Sequence, residues 1–261
     1  MLKKILKKIV PSYSYVYYLL ISMREYLFSI KGLPSYKRDY KTLKYLSLNT
    51  KERFLFDWSN RLPYLTDRTE NTPFDNHYIY HPACAARILA QTKPDLHIDV
   101  SSTLHFCTIV SAFMPIHFYD YRPAQLKLDN LASEKGDLMA LPFESCTVAS
   151  ISCMHTIEHI GLGRYGDPLD YDGDIKAINE LIRVTKPGGD ILFVTPVGKP
   201  VLLFNAHRIY SFEQIVNYFT GCILIEFSLI PEKGAIIINA DPLLVEKETY
   251  GCGCFYFKKN N

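Results

Sequence analysis

The sequence lacks the cysteine pairs that would cross-link a small fold or hold a zinc ion. Its seven cysteines are an odd number and form no CxxC motif, and only Cys252 and Cys254 lie close together. Disulfide-bonded domains and zinc ribbons need cysteines paired at short spacings. We therefore expect neither a disulfide framework nor a zinc site, and we expect a reducing, cytosolic environment.

An excess of charge of one sign is also missing. The chain has 29 basic and 27 acidic residues, for a formal net charge of +2, which is too small to suggest a broad nucleic-acid-binding surface. The 261 residues contain no internal repeat, and 48% of them are hydrophobic against 21% charged. This composition is typical of a globular protein. It favours a small-molecule partner over nucleic acid and does not indicate an oligomeric state.

The N-terminus has no apolar run long enough for a comfortable membrane span. Residues 9–23 carry no charge, but the run is short and Pro11 interrupts it. Residues 1–10 place apolar and lysine side chains on opposite faces at helical spacing, which predicts a basic amphipathic helix. Such a helix suits the cytoplasmic face of a membrane, and the alternative is packing on its own domain or on a partner subunit. We predict a cytoplasmic protein, with peripheral contact to the inner face of the membrane through residues 1–30 as a hypothesis.

The rest of the chain divides into two regions. Residues 1–80 form an aromatic, lysine-rich extension with helical stretches, and strands alternate with helices over residues 81–261. The patterns predict strands at 96–100, 116–119, 149–153, 191–195, 222–229 and 254–257, and helices at 83–91, 175–184 and 211–219, the last with Ser211 as N-cap. This alternation predicts an α/β fold with a doubly wound, mostly parallel sheet. The last two strands have no helix between them, so they predict an antiparallel hairpin at one edge.

Five segments carry a resemblance to a known family: HIDV at 97–100, FYD at 118–120, GDLMALPF at 136–143, TIEHI at 156–160 and RVTKPGG at 183–189. In this order they resemble a class I S-adenosylmethionine-dependent methyltransferase, over roughly residues 83–258. More narrowly, the segments EHIGLGRYGDP, VGKP, FNAHRIYS and YGCG are similar to a bacterial family called domain of unknown function 268. That family is methyltransferase-like and often associated with surface-polysaccharide genes. The resemblance implies a seven-stranded, Rossmann-like methyltransferase fold with S-adenosylmethionine as the cofactor.

Residues at the strand ends form the cofactor site that this resemblance implies. The set is Asp99, Ser101, Ser102, Asp120, Tyr121, Asp137, Leu138 and His155. Asp120 would accept from both ribose hydroxyls, and Asp137 would accept from the adenine amine beside the backbone N–H of Leu138. Asp99 would lie near the amino-acid end of the donor, where an ammonium and a sulfonium favour a carboxylate.

The turn after the first strand departs from the family pattern because it contains no glycine. Ser101, Thr103 and His105 stand where glycines are expected. Glycine allows close approach of the backbone to a ligand, whereas serine still offers a backbone N–H and adds a hydroxyl. We expect donor binding to be retained, more weakly or in a shifted position.

The segment His155-Thr156-Ile157-Glu158-His159 has the form HxxEH. On a helix its two histidines and glutamate would share one face, and the same string occurs in inverted zinc metallopeptidases. Gly161 and Gly163 break the segment almost at once, which argues against a peptidase. A divalent metal at these residues, helped by the acidic residues Asp167, Asp170, Asp172 and Asp174, is a less favoured alternative to a loop that ends in a helix N-cap at Asp172 or Asp174.

The same segment supplies the candidate catalytic group. Methyl transfer to a hydroxyl usually requires removal of the acceptor proton, and histidine has a suitable pKa for this step. We expect His159 or His155 to be the base and Glu158 to orient it. The candidate substrate-binding residues are His207, Arg208, Arg164, Tyr165 and His81, with Arg208 contacting an anionic group. Asp75, His77, Tyr78 and Tyr80 could line the acceptor pocket with His81, although buried aromatic packing is the preferred interpretation for them.

Together these expectations define one function and two alternatives. The first is S-adenosylmethionine-dependent methylation, preferably on oxygen, of a sugar or sugar phosphate in surface-glycan biosynthesis, such as capsule or lipopolysaccharide. The glycan part follows from the family resemblance alone. A non-catalytic, methyltransferase-like scaffold or assembly partner at the membrane is the second hypothesis, favoured by the missing glycines, and a metallopeptidase is the third.

Overall fold

The computed structural model describes residues 19–20, 22–23, 26–27 and 30–261. The basic amphipathic helix expected at residues 1–10 lies outside these residues. No helix in the part of the chain that the structure describes is long and apolar enough to cross a membrane. The chain divides into two compact units between Pro73 and Phe74, seven residues before the boundary expected from the sequence.

In the described part of the N-terminal unit, helix α1 (Leu33–Ser47) has Pro34 in its first turn. Tyr40 of this helix packs edge-on against Trp58, with ring centroids 4.7 Å apart, and Asp39 accepts from the Arg68 guanidinium at 2.7 Å. Trp58 opens a short 3-10 turn, Trp58–Asn60. None of the residues of α1 is buried, so apolar burial contributes little to the stability of this helix.

The C-terminal unit contains a seven-stranded sheet. Its strands are β1 (His97–Val100), β2 (Ile116–Asp120), β3 (Leu131–Lys135), β4 (Val148–Met154), β5 (Thr185–Val197), β8 (Cys222–Ile230) and β9 (Gly251–Lys259), and a separate hairpin is made by β6 (Val201–Leu203) and β7 (His207–Ile209). The order across the sheet is β3-β2-β1-β4-β5-β9-β8. The first five strands are parallel, and β9 lies antiparallel between β5 and β8. The predicted doubly wound sheet with an antiparallel C-terminal hairpin is confirmed.

Helices cover both faces of this sheet: α2 (Asn76–Thr92), α3 (Leu104–Val110), α4 (Gly173–Val184) and α5 (Phe212–Tyr218). Successive strand residues point to opposite faces, so Phe193 belongs to the cluster that contains Ile178 and Leu181 of α4, while Leu192 belongs to the cluster that contains Leu89 of α2. Each such fully buried side chain stabilises the fold by roughly 1.5–3 kcal/mol relative to an exposed one.

Several boundaries differ from the expected ones for local reasons. Helix α2 begins at Asn76 rather than at residue 83, because the Asp75 side chain caps it by accepting from the Tyr78 N–H. Strand β5 begins at Thr185, so it includes the Lys-Pro-Gly-Gly segment that was expected to be only a helix stop. Ser211 caps α5 as predicted, in a reciprocal capping box with Gln214. Strand β3, helix α3 and the β6–β7 hairpin were not predicted.

Candidate functional site

The turn after β1 has a backbone conformation typical of glycine, although it contains no glycine. Ser101 has φ 57°, the left-handed conformation that glycine adopts most readily. Its N–H donates to the Tyr119 carbonyl at 2.7 Å, and its hydroxyl donates to the same oxygen at 3.2 Å. The Ser101 carbonyl accepts from the Thr156 hydroxyl at 2.7 Å, and Ser102 Oγ accepts from the Met154 N–H at 3.2 Å. These bonds tie the turn to the ends of β2 and β4.

Asp99 lies beneath this turn and is 0% exposed. Ser152 Oγ donates to Asp99 Oδ1 at 2.5 Å, and the His97 ring lies between Ser150 Oγ at 2.8 Å and Ser152 Oγ at 2.9 Å. Asp99 Oδ2 is buried and has no partner among the described residues. Burial raises the pKa of Asp99 to about 7, although the neighbouring Ser102 and Ser152 hydroxyls lower it. The carboxyl group is therefore part of a polar network inside the sheet.

The other two carboxylates predicted to bind the cofactor, Asp120 and Asp137, lie at the carboxyl ends of β2 and β3. Asp120 ends β2, where its Oδ1 accepts from the Arg122 N–H at 2.7 Å and its carbonyl accepts from the Gly136 N–H at 3.0 Å. Asp137 Oδ1 accepts from the Met139 N–H at 2.9 Å. Among the described residues, the second carboxylate oxygen of each aspartate makes no hydrogen bond within the protein. Tyr121 beside them is exposed, whereas the Leu138 side chain is buried.

The HxxEH segment is not a helix. Ile157–His159 forms a 3-10 turn directly after β4, and His155 before it has φ 55°, a conformation that is costly for a side chain of this size and often marks a functional site. His155 Nδ1 donates to Glu158 Oε1 at 2.9 Å. Glu158 is 1% exposed, and its Oε2 has no described partner. The turn lacks the long helix that a metallopeptidase of this motif requires.

His155 and Glu158 set each other's protonation. Burial lowers the pKa of His155, but the hydrogen bond and the charge of Glu158 outweigh this effect and raise the pKa overall. Burial in turn raises the pKa of Glu158, but the hydrogen bond and the charge of His155 lower it overall. The buried pair thus favours an ionised carboxylate beside an imidazole that binds protons readily.

His159 has a different environment from His155. Its Nδ1 donates to the Ala206 carbonyl at 2.6 Å, and its Nε2 lies 3.8 Å from Glu158 Oε1. Burial lowers the pKa of His159. The His159 ring lies edge-on to Tyr165 at 5.7 Å and to His207 at 6.4 Å, and the Arg164 guanidinium donates to the Ala206 carbonyl at 3.1 Å. Four of the predicted catalytic and substrate-binding residues therefore meet around this imidazole.

Arg208 is placed differently from the expectation. It is buried, and its guanidinium donates to the Ile160 carbonyl at 2.7 Å and to the Tyr171 carbonyl at 3.0 Å, with Asp174 Oδ2 at 3.5 Å from Nε. The Tyr210 hydroxyl also donates to Asp174 at 2.8 Å. Arg208 therefore holds the loop after the HxxEH segment through these contacts, and its role as a substrate contact stays a prediction.

The acidic residues before α4 form a loop, which was the preferred interpretation. Asp167 accepts from the N–H groups of Gly161, Gly163 and Tyr165. Asp170 pairs with Lys176. Helix α4 begins at Gly173 with Asp172 at the N-cap position, although the Asp172 side chain makes no capping hydrogen bond.

Aromatic side chains of α2 also surround His155, although buried packing was the preferred interpretation for most of them. Tyr78 stacks on the His155 ring at 5.3 Å, His77 stacks on it at 5.4 Å, and the buried His81 lies 4.9 Å away. Tyr250, just before β9, stacks on His77 at 5.1 Å. The spacing of His77 and His81, four residues apart on one helix, was the available signal for this cluster.

Comparisons with known proteins agree with this architecture. A family model described as "Caenorhabditis protein of unknown function, DUF268" matches residues 142–240, which is less than half of the chain. The family name is the one expected, but its description gives no support to a bacterial or polysaccharide-associated family. No curated protein matches the sequence.

Solved structures extend the similarity over most of the C-terminal unit. The 1,6-didemethyltoxoflavin N1-methyltransferase of Burkholderia thailandensis, which contains S-adenosylhomocysteine, superposes with a TM-score of 0.52 at 9% identity over 70% of this chain and 80% of that one. The N-methyltransferase NodS of Bradyrhizobium japonicum gives 0.51 at 11% identity over 72% and 90%. The [4+2]-cyclase SpnF gives 0.51 at 14% identity over 69% and 80%. The C-terminal unit therefore has the Rossmann-like fold of S-adenosylmethionine-dependent methyltransferases.

Proposed function

We propose that this protein is an S-adenosylmethionine-dependent methyltransferase. The observation that carries the proposal is the grouping at the carboxyl edge of the sheet, where Asp120 and Asp137 follow two neighbouring strands and the His155–Glu158–His159 turn follows β4. In open α/β sheets, ligands bind beyond this edge. Carboxylates at this edge would attract the positively charged methyl donor. Imidazoles beside them would accept the proton of the methyl acceptor.

The residues at the edge fit such a donor. The left-handed Ser101 preserves the tight turn, and the hydrogen bonds of Ser101 and Ser102 hold it to β2 and β4. In this proposal Asp120 accepts from the ribose hydroxyls through the carboxylate oxygen that its own turn does not use. Asp137 binds the adenine amine in the same way, while Leu138 supplies a backbone N–H and Tyr121 an exposed ring beside the nucleoside.

His159 is the proposed general base. S-adenosylmethionine supplies an electrophilic methyl group when it is bound. Because His159 Nδ1–H donates to the Ala206 carbonyl, its Nε2 carries the lone pair that takes the acceptor proton. The lowered pKa keeps this nitrogen unprotonated at neutral pH, and Glu158, 3.8 Å away, stabilises the imidazolium that forms. His155, oriented by Glu158, is the second candidate base.

The acceptor that we propose is a hydroxyl of a sugar or sugar phosphate, as in surface-glycan biosynthesis. Its support is the family resemblance together with the polar and aromatic groups around His159, which include Arg164, Tyr165 and His207. Of the two arginines predicted to bind substrate, Arg164 is exposed and is the one that we propose contacts a phosphate. Cytoplasmic location and membrane contact through residues 1–30 belong to the same proposal and rest on the sequence alone.

A non-catalytic scaffold is the second candidate, and two observations favour it. Asp99 is fully enclosed, so it offers no surface to the amino-acid end of a donor, and no glycine opens the turn above it. The similarity to a [4+2]-cyclase also illustrates that one fold hosts different chemistry.

Calorimetric titration with S-adenosylmethionine and S-adenosylhomocysteine tests the proposal. We expect Asp120→Ala to weaken binding roughly 100-fold, because two hydrogen bonds to a charged group contribute about 3 kcal/mol together. Asp129→Ala, on an exposed turn of the β2–β3 connection, is the matched control and should bind like the wild type. If the folded wild-type protein gives no heat with either compound, the scaffold becomes the better proposal.

A further inference from the structure

Three buried side chains from distant parts of the chain meet beside the candidate base. His77 on α2, His155 after β4 and Cys252 on β9 each offer one ligand atom, and these atoms all lie within 4.8 Å of one another. His77 is 7% exposed, His155 8% and Cys252 0%. Ligands this far apart in sequence form no motif, which is why the cysteine and histidine spacings predicted no zinc site.

The hydrogen bonds of His155 leave its other nitrogen ready to coordinate a metal. In the neutral ring that donates from Nδ1 to Glu158, Nε2 carries a lone pair. That nitrogen is buried and has no hydrogen-bond partner among the described residues. An unpaired polar atom in such a place normally costs about 1–3 kcal/mol. A metal ion would accept this lone pair. Metal-binding histidines commonly donate their other ring N–H to a carboxylate, as His155 Nδ1 does to Glu158.

His77 and Cys252 complete a set with a definite chemical preference. Two imidazoles and a thiolate favour borderline-soft ions, zinc above all, over magnesium or calcium. Around tetrahedral zinc, ligand atoms lie about 3.3–3.7 Å apart, so closing the site requires the three side chains to move by roughly 1 Å.

We propose that His77, His155 and Cys252 bind one divalent transition-metal ion of the zinc class, supported by Glu158. Three protein ligands leave the fourth tetrahedral position open, as in catalytic rather than purely structural sites. This set differs from the HxxEH set weighed from the sequence, because Glu158 serves His155 and His159 Nδ1 is bonded to Ala206. The assignment does not depend on donor binding, and it leaves His159 as the base.

Cobalt(II) added to the metal-free full-length protein is the probe. One equivalent should bind and give the near-ultraviolet thiolate-to-cobalt charge-transfer band, and zinc should displace it. Cys252→Ala should abolish this band. Cys107→Ala is the matched control, since Cys107 is also fully buried but lies on α3, and it should leave the band unchanged. Glu158→Gln should keep the band and weaken binding roughly 10–100-fold, as the loss of a supporting group does.

Several results would overturn the assignment. These are no bound cobalt, cobalt bound without the thiolate band, or a band that survives Cys252→Ala. If Cys252→Ala does not fold by circular dichroism, His77→Gln replaces it and should weaken cobalt binding by more than Glu158→Gln does. Asp120→Ala should retain the band, so failure of donor binding and failure of the metal site are distinguished.

Discussion

The substitution Asp99→Asn should stabilise the protein, and increasingly so as the pH rises. Asp99 is fully buried between the Ser102 and Ser152 side chains, and burial raises its pKa to about 7 from an ordinary value of 3.8. Asparagine has nearly the same shape and never ionises. The substitution therefore removes the cost of a buried negative charge without leaving a cavity. The asparagine amide group would take the place of the unpartnered Asp99 Oδ2, which costs about 1–3 kcal/mol at every pH and is subtracted from this gain.

The size of this stabilisation follows from the difference between the pKa of Asp99 in the folded and in the unfolded protein. Below pH 4 both the folded and the unfolded protein hold the Asp99 proton, so ionisation costs nothing. Between pH 4 and 7 the unfolded chain releases the proton while the folded protein keeps it, so the contribution of Asp99 to stability falls as the pH rises. Above pH 7 the full difference of about three pKa units applies, which is about 4 kcal/mol. At pH 5 the same relation gives about 2 kcal/mol.

Urea unfolding of both proteins at pH 5 and pH 8 measures this difference. We expect the stabilisation by Asp99→Asn to grow by about 2 kcal/mol between the two pH values. Burial lowers the pKa of His97 to about 3, so His97 destabilises the fold below pH 6.5, but this effect is common to both proteins and cancels. A stabilisation that is the same at pH 5 and pH 8, or a destabilisation at pH 8, would refute a buried ionising carboxyl group.

Two further predictions concern residues in the left-handed conformation. Ser101→Gly should leave S-adenosylmethionine affinity within a few-fold of the wild type in calorimetry, because the backbone path is already the one that glycine would take; a large gain in affinity would show that the serine obstructs the donor. Gly161→Ala should destabilise the protein by more than about 3 kcal/mol in urea unfolding, because Gly161 has φ 76° and a Cβ there would overlap the Asp170 carbonyl oxygen. Gly166→Ala is the control. Gly166 has φ 83° but open space around it, so this substitution should cost only about 1 kcal/mol.

The sheet could be predicted because local patterns specify it. β1 and β4 are short runs that are almost entirely buried and lead into polar turns, and burial on both faces is typical of parallel strands. The Ser211 cap follows from side-chain chemistry within four residues. Strand β3 escaped prediction because its residues LASEK are half exposed at the sheet edge, so they show no apolar run.

The site could be predicted only in part, because its residues come together through tertiary contacts. The strand-end aspartates follow from the order of the strands, whereas the approach of His77 and Cys252 to His155 depends on how α2 and β9 pack on the sheet. Arg208 has tertiary contacts that its sequence position did not indicate. Its place after β5 suggested a substrate contact, and in the structure its guanidinium donates to the carbonyls of Ile160 and Tyr171.

The glycine-free turn illustrates how side-chain hydrogen bonds can replace a special backbone residue. Of the three positions expected to be glycine, only Ser101 has a positive φ, which costs an L-residue roughly 1–2 kcal/mol. Two hydrogen bonds to the Tyr119 carbonyl and one from Thr156 are enough to offset that cost. Thr103 has an ordinary φ of −75° and caps α3, and His105 lies exposed on that helix. The turn therefore needs glycine at neither later position to follow this backbone path.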